Sequence, residues 1–205
     1  MSWRIFDGLD ARYDSWYERN PLIYENEISA VRALGLRGIG VEIGVGTGRF
    51  AAPLGLPLGI DASEHMLRSA LSRGVDAIRA MAEDLPLRSS SVDYALFVVT
   101  LCFLEDPLVA LREARRVLRE GGTVAACIVP RDSVWGAYYM SRGGKFYSSA
   151  KFYTVDEISS MLRSAGLSPT RITSTLSHGP LDQPVREAPG ADPRAGFVCI
   201  SSRRS

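Results

Sequence analysis

The sequence predicts an α/β fold: a doubly wound, mostly parallel sheet of seven strands with helices on both faces. Three observations predict it. The apolar run Val41–Ile43 passes directly into a turn with glycine at every second position, Gly44, Gly46 and Gly48. Apolar runs of strand length then alternate with helical patterns, as parallel strands joined by crossover helices require. The last two strand-like runs, 171–175 and 197–202, have no helical pattern between them, so one strand near the sheet edge should run antiparallel.

Composition narrows the function classes. The chain has 205 residues, 46% of them hydrophobic, enough for one full core, so a single domain spanning 1–205 is expected. Residues 1–35 would form a helical cover and 36–205 the sheet core. The net charge of +1 comes without a basic stripe, which argues against a nucleic-acid partner. No apolar span is long enough for a membrane helix, and the amino terminus has no apolar run. The expected setting is cytoplasmic, with no membrane partner, as a monomer or homodimer acting on a small-molecule substrate. Cys102, Cys127 and Cys199 lack CxxC spacing and are odd in number, so neither a metal site nor a disulfide framework is expected.

Residues 8–35 carry two helical patterns separated by Asn20-Pro21. The first presents Leu9, Tyr13, Trp16 and Tyr17, and the second Leu22, Ile23, Ile28, Val31 and Leu34 before Gly35. In the glycine turn the missing Cβ atoms permit unusual φ values and close approach to a ligand. A dinucleotide fingerprint would need glycine where Arg49 stands, so the spacing is E-x-G-x-G-x-G from Glu42. Pro53 and Pro57 keep the next helix short, and Leu58–Ile60 forms a strand ending at Asp61. An acidic residue at that strand end, about 20 residues past the turn, is placed to hold a ribose diol. Ser63 is then the N-cap of a helix over 64–73, closed by Gly74.

A third strand spans 75–80. The fourth, 91–100, is an almost unbroken apolar run, as a strand buried on both faces should be. Its carboxyl end, Thr100 to Phe103, lies where open parallel sheets place ligands. Pro107 opens a helix running to Glu120, stopped by Gly121-Gly122, and a fifth strand covers 123–129. Residues 130–153 are rich in glycine and aromatics (Trp135, Tyr138, Tyr139, Phe146, Tyr147, Phe152), too irregular for a long helix, and suit a wall over the substrate. Thr154 and Glu157 form a capping box for a helix ending at Ala165. The proline-rich loop between the last two strands is long for a compact domain.

The strings VEIGVGTGRF, AEDLPL and SVDYALFVVTLCFLEDP, in that order and followed by LREARRVLREGG, resemble class I S-adenosylmethionine (SAM) dependent methyltransferases of the generic, thermophile-like small-molecule group. The resemblance covers residues from about 5 to 170. It implies a Rossmann-like fold and SAM as cofactor, held by Tyr13, Glu42, Gly44, Val45, Gly46, Gly48, Asp61, Ala62, Met66, Ala82, Glu83 and Thr100. It further implies an N-terminal cover folding over the cofactor, with Tyr17, Tyr24, Cys102 and Trp135 toward the substrate. Where the family's D-A-x-x-L-P-F loop carries a carboxylate for the adenine amino group, this chain has Met81, leaving Glu83 or a backbone carbonyl as the acceptor.

No signature of base, cytosine or arginine methyltransferases follows the fourth strand, so a small-molecule N or O nucleophile is expected. Tyr13, Asp132 and His178 are the candidate bases. Cys102 has no activating His or Lys beside it and reads as a small apolar residue. Two other classes stay open at this stage: a SAM-binding relative without catalysis, and an NAD(P)-dependent oxidoreductase, which the absent third glycine opposes.

Overall fold

The computed structural model describes residues 2–143 and 145–204, with Ser2, Lys145 and Phe146 described by backbone only. Phe146, expected on the substrate side, therefore lies outside the described side chains. A 3-10 turn, Ser2–Phe6, precedes helices α1 (Asp10–Arg19) and α2 (Pro21–Arg32). Strand β1 (Gly40–Ile43), helix α3 (Ala51–Leu54), β2 (Leu58–Asp61), α4 (Glu64–Ser72), β3 (Asp76–Arg79) and β4 (Val92–Val98) follow. After the 3-10 turn Leu101–Phe103 come α5 (Pro107–Val117), β5 (Leu118–Ile128), α6 (Val134–Arg142), α7 (Lys145–Ser148), α8 (Val155–Ser164), β6 (Leu167–Thr175) and β7 (Phe197–Arg204).

The seven strands lie in the order β3-β2-β1-β4-β5-β7-β6. All neighbours are parallel except β7, which runs antiparallel to both β5 and β6. The predicted class, including the single antiparallel strand near the edge, is the one observed. Pro169 is accommodated because β6 is an edge strand, free of a ladder partner on one side.

Alternation along the central strands builds two cores. Ala95 and Phe97 of β4 face α5 and α8, with Leu111, Ile158 and Leu162. Tyr94, Leu96 and Val98 face α2, α4 and α6, with Ile28, Val31, Leu67 and Trp135. A strand with a helix layer on each side must be apolar in both phases, which is why β4 shows no period-2 pattern.

Three local expectations change. The helix after Pro107 stops at Val117 and not at Glu120, because Leu118 is fully buried and pairs with Val92 in the sheet. A register shift between Val92 and Tyr94 absorbs Gly121-Gly122, and Arg119 bonds Asp93 at 2.8 Å. Residues 134–142, expected to be irregular, form α6, capped by the Ser133 hydroxyl accepting from the Gly136 N–H at 2.9 Å. A Cβ at Gly136 would lie 2.0 Å from the Pro130 carbonyl oxygen, so the glycine is required for the helix to turn away from β5.

The third change is chemical. Cys127 and Cys199 form a disulfide, against the expectation of none. They are directly opposed on antiparallel β5 and β7, and both are fully buried. Spacing could not reveal it: the partners are 72 residues apart, and only strand register brings them together. Among the described residues there is no group of His, Cys, Asp or Glu that could hold a metal ion, and no helix long and apolar enough to cross a membrane.

Candidate active site

The sheet order reverses direction between β1 and β4, and at such a switch point the crevice beyond the carboxyl strand ends collects ligands. A cavity of about 800 Å³ opens there. Of the residues expected to hold the cofactor, Tyr13, Gly44, Gly46, Asp61, Ala62, Met66, Ala82, Glu83 and Thr100 line it. Of those expected near the substrate, Tyr17 and Cys102 do.

The glycines of the turn serve three separate ends. Gly44 has φ +74°, and a Cβ there would stand 2.2 Å from Thr100 Cγ2. At Gly46, φ +53°, an added Cβ would meet nothing nearer than Tyr13 Cε1 at 4.0 Å, which leaves open space on the cavity side. At Gly48 an added Cβ would stand 3.1 Å from the Ala70 backbone, so the glycine lets α4 pack, and it does not line the cavity. Val45 is also turned away, buried against Gly59.

Asp61 braces the turn. Its carboxyl accepts from the Gly46 N–H at 2.9 Å and from the Ser63 N–H at 2.9 Å. Burial raises its pKa, and these backbone donors work against that rise. Glu42 lies beneath, 1% exposed, with burial pushing its carboxyl well above the usual range despite a bond from the Ala51 N–H. It supports the turn from below and does not line the cavity.

The wall after β4 is conformationally strained. Val99 sits at φ +51°, a region costly for a β-branched residue, and both it and Thr100 line the cavity. Cys102 donates from Sγ to the Val99 carbonyl at 3.4 Å, and burial pushes its thiol up to about 12. A thiol so protonated is no nucleophile at neutral pH.

The remaining candidates stand outside the lining. Tyr24 donates its hydroxyl to the Arg49 carbonyl. Trp135 is 3% exposed, its indole N–H bonded to the His178 carbonyl at 2.7 Å. His178 is held in the 176–196 loop, Nδ1 against the Gly179 carbonyl at 3.0 Å and Nε2 3.6 Å from Glu187. Asp132 is exposed beyond β5. None of the four lines the cavity.

The residues sequence reading missed are charged. Asp14 of α1 accepts from Thr47 Oγ1 at 2.7 Å, Arg49 Nε at 2.9 Å and Arg73 Nη2 at 2.5 Å, tying α1 to the glycine turn and to the end of α4. Burial pushes the Asp14 carboxyl up, but those three hydrogen bonds outweigh it and hold the pKa below its ordinary value. Glu27 of α2, 6% exposed, lines the cavity together with Tyr17 and Tyr139. Nothing in its local pattern distinguished either carboxylate from a solvated helix charge.

A model described as a methyltransferase domain matches residues 41–126. The crystal structure of a SAM-dependent methyltransferase of Thermotoga maritima, a possible histamine N-methyltransferase, superposes with a TM-score of 0.96 at 38% identity, covering 100% of both chains. This chain belongs to the SAM-dependent methyltransferases. Within the family, an uncharacterized protein of Methanocaldococcus jannaschii is 37% identical over 98% of each chain. A demethylmenaquinone methyltransferase of Staphylococcus aureus is 31% identical over 59% of this chain and 57% of its own.

The cavity fits the donor that this family uses. Two buried polar atoms on its walls have no hydrogen-bond partner among the described residues: Trp3 Nε1, a donor, and Glu83 Oε2, an acceptor. Unpaired buried groups are costly, so a ligand with polar edges is called for. The Ser63 hydroxyl donates to Asp7 at 2.7 Å, which brings the Trp3 segment to the Asp61 side. On this wall Glu83 Oε2 offers an acceptor, whereas Met81 has only a thioether. Glu83→Ala is expected to weaken SAM binding about tenfold, Glu83→Gln to cost little, and Met81→Asp to restore affinity in the Glu83→Ala background. Calorimetry finding Glu83→Ala equal to the parent would pass the adenine to a backbone carbonyl.

Proposed function

We propose that the chain is a cytoplasmic, monomeric or homodimeric SAM-dependent methyltransferase whose acceptor is a small molecule with a nitrogen or oxygen nucleophile. The single observation that carries this reading is the two-part cavity. One half is a glycine turn braced by Asp61, and the other, beyond Thr100, is walled by aromatics. The Thermotoga relative, a possible histamine N-methyltransferase, favours nitrogen of the two nucleophiles.

The backbone of Gly44 and Gly46 would take the amino-acid portion of the donor, Asp61 the ribose hydroxyls, and Ala82–Glu83 the adenine. When bound, SAM supplies an electrophilic sulfonium methyl whose departure leaves a neutral thioether. The chain's own task is therefore to place and desolvate the nucleophile, and orientation alone supplies about 7–11 kcal/mol of such barriers. Tyr13 and Tyr17 from α1, joined by a 3.0 Å bond between their hydroxyls, close the cavity over the Gly46 side. Tyr139, stacked on Tyr147 with centroids 4.9 Å apart, closes the other.

Removing the Asp61 carboxyl tests the assignment. Charge-assisted hydrogen bonds contribute about 1.5–3 kcal/mol each, so Asp61→Ala is expected to weaken SAM at least about tenfold by calorimetry. Unchanged affinity in a variant with parental circular dichroism would overturn the ribose role. NADH titrated in parallel should not bind, and transfer of labelled methyl from SAM to a metabolite pool separates an enzyme from a SAM-binding relative without turnover.

A further inference from the structure

Glu27 has no part in holding the donor, yet it lies in the wall of the same cavity. It is 6% exposed, in the middle of α2. Burial alone acts on its carboxyl, with neither hydrogen bond nor cation among the described residues to offset it, and pushes it up to about 8. The titratable groups that face it are phenols: Tyr13 and Tyr17 from α1, Tyr24 on its own helix, and Tyr139 from α6. The arginines on the cavity wall, Arg12, Arg19 and Arg142, are exposed, and none pairs with Glu27.

A buried carboxylate without a partner is retained at a cost unless something cationic comes to it. Aromatic rings around it add attraction for a cation through their electron-rich faces. The geometry points to Glu27 as the group that recognises the methyl acceptor, and to an amine with an apolar body, entering as its ammonium ion, as the acceptor class. This rests on the methyl-transfer reading above and deepens it.

The balance of the reaction gives the carboxylate a second task. An ammonium nitrogen has no lone pair, so it must first pass one proton to Glu27. The N–C bond then forms as the sulfonium S–C bond breaks, the electron pair of that bond staying on sulfur. The product leaves as a methylammonium ion beside a neutral thioether, and Glu27 returns the proton to water. Burial helps here, because a raised carboxyl pKa narrows the gap to the ammonium it deprotonates.

The test is a binding comparison that needs no turnover. Three primary amines (2-phenylethylamine, 3-phenylpropylamine and hexylamine) and their matched alcohols are titrated by calorimetry into the full chain, with and without S-adenosylhomocysteine. At least one amine is expected to bind about tenfold or more tightly than its alcohol. In Glu27→Gln that preference should vanish while SAM affinity stays within about twofold. Melting gives a separate readout. A carboxyl whose folded pKa lies above its unfolded value loses stability as pH rises between the two. Glu27→Gln should therefore gain on the parent from pH 5 to 8, and a bound amine should remove the difference. A parent that favours no amine over its alcohol, or a preference that survives in Glu27→Gln, overturns the proposal. SAM failing to bind the parent is a different result, and sinks the methyl-transfer reading.

Discussion

Alanine at Gly44 is expected to cost about 2–5 kcal/mol of stability and to abolish measurable SAM binding. Two penalties combine. The position has φ +74°, and a side chain in the left-handed region costs about 1–2 kcal/mol. The new Cβ would also stand 2.2 Å from Thr100 Cγ2 and 2.6 Å from its Oγ1, and relieving such overpacking costs about 1–3 kcal/mol. Thr100 is hemmed in by its own bonds to the Gly44 and Val98 carbonyls at 3.4 and 3.1 Å, so it can yield only by moving the cavity wall. Gly46→Ala is the informative control. It carries the backbone penalty, about 1–2 kcal/mol, without a clash, so its loss of stability should be the smaller one although SAM binding also fails. Denaturant melts of the two variants check the ordering. Equal losses would mean that the Thr100 contact is not the decisive one.

The second large effect is expected at Asp14. Asp14→Ala leaves Arg49 and Arg73 without their shared acceptor, and removing one partner of a buried ion pair costs about 3–5 kcal/mol. The low end applies, because the Asp14 side chain retains 15% of its exposure and Arg73 26%. The consequence reaches function through α1, which carries Tyr13 and Tyr17 over the cavity and is anchored to the turn by this carboxylate. SAM affinity should fall with stability, and amide exchange over residues 10–19 should quicken. The pH sign is determined by the depressed pKa of Asp14. Its contribution is complete above the unfolded carboxyl value, about 3.9, and is lost as pH falls through the lower folded value. Parent and variant should therefore converge in stability only in strong acid. A constant gap down to that range would show that packing of α1, and not the ion cluster, carries the effect.

What could be read from the chain depended on the range of the interactions. The glycine turn, the N-caps at Ser63 and Thr154, and Asp61 at a strand end are local patterns, and the structure forms each where expected. The helix end at Val117 was misplaced because Gly121-Gly122 is a strong local stop signal. The burial of Leu118 against a neighbouring strand outweighed it. Trp135 and Tyr24 were expected at the substrate and lie elsewhere, since an aromatic in a loop or amphipathic helix does not disclose which neighbour it will face.

By itself the sequence determined the α/β class, the crevice at the switch point and the glycine-turn side of the cavity. These follow from periodicity, backbone freedom and strand-end chemistry, all encoded within a few residues of one another. Tertiary structure alone decided that Cys127 meets Cys199, that Asp14 ties α1 to the turn, and that Glu27 is buried without a cation. Each of those depends on the register or packing of elements distant in the chain. A carboxylate on a helix has the same sequence signature in water as in a cavity wall, and only its surroundings give it a task.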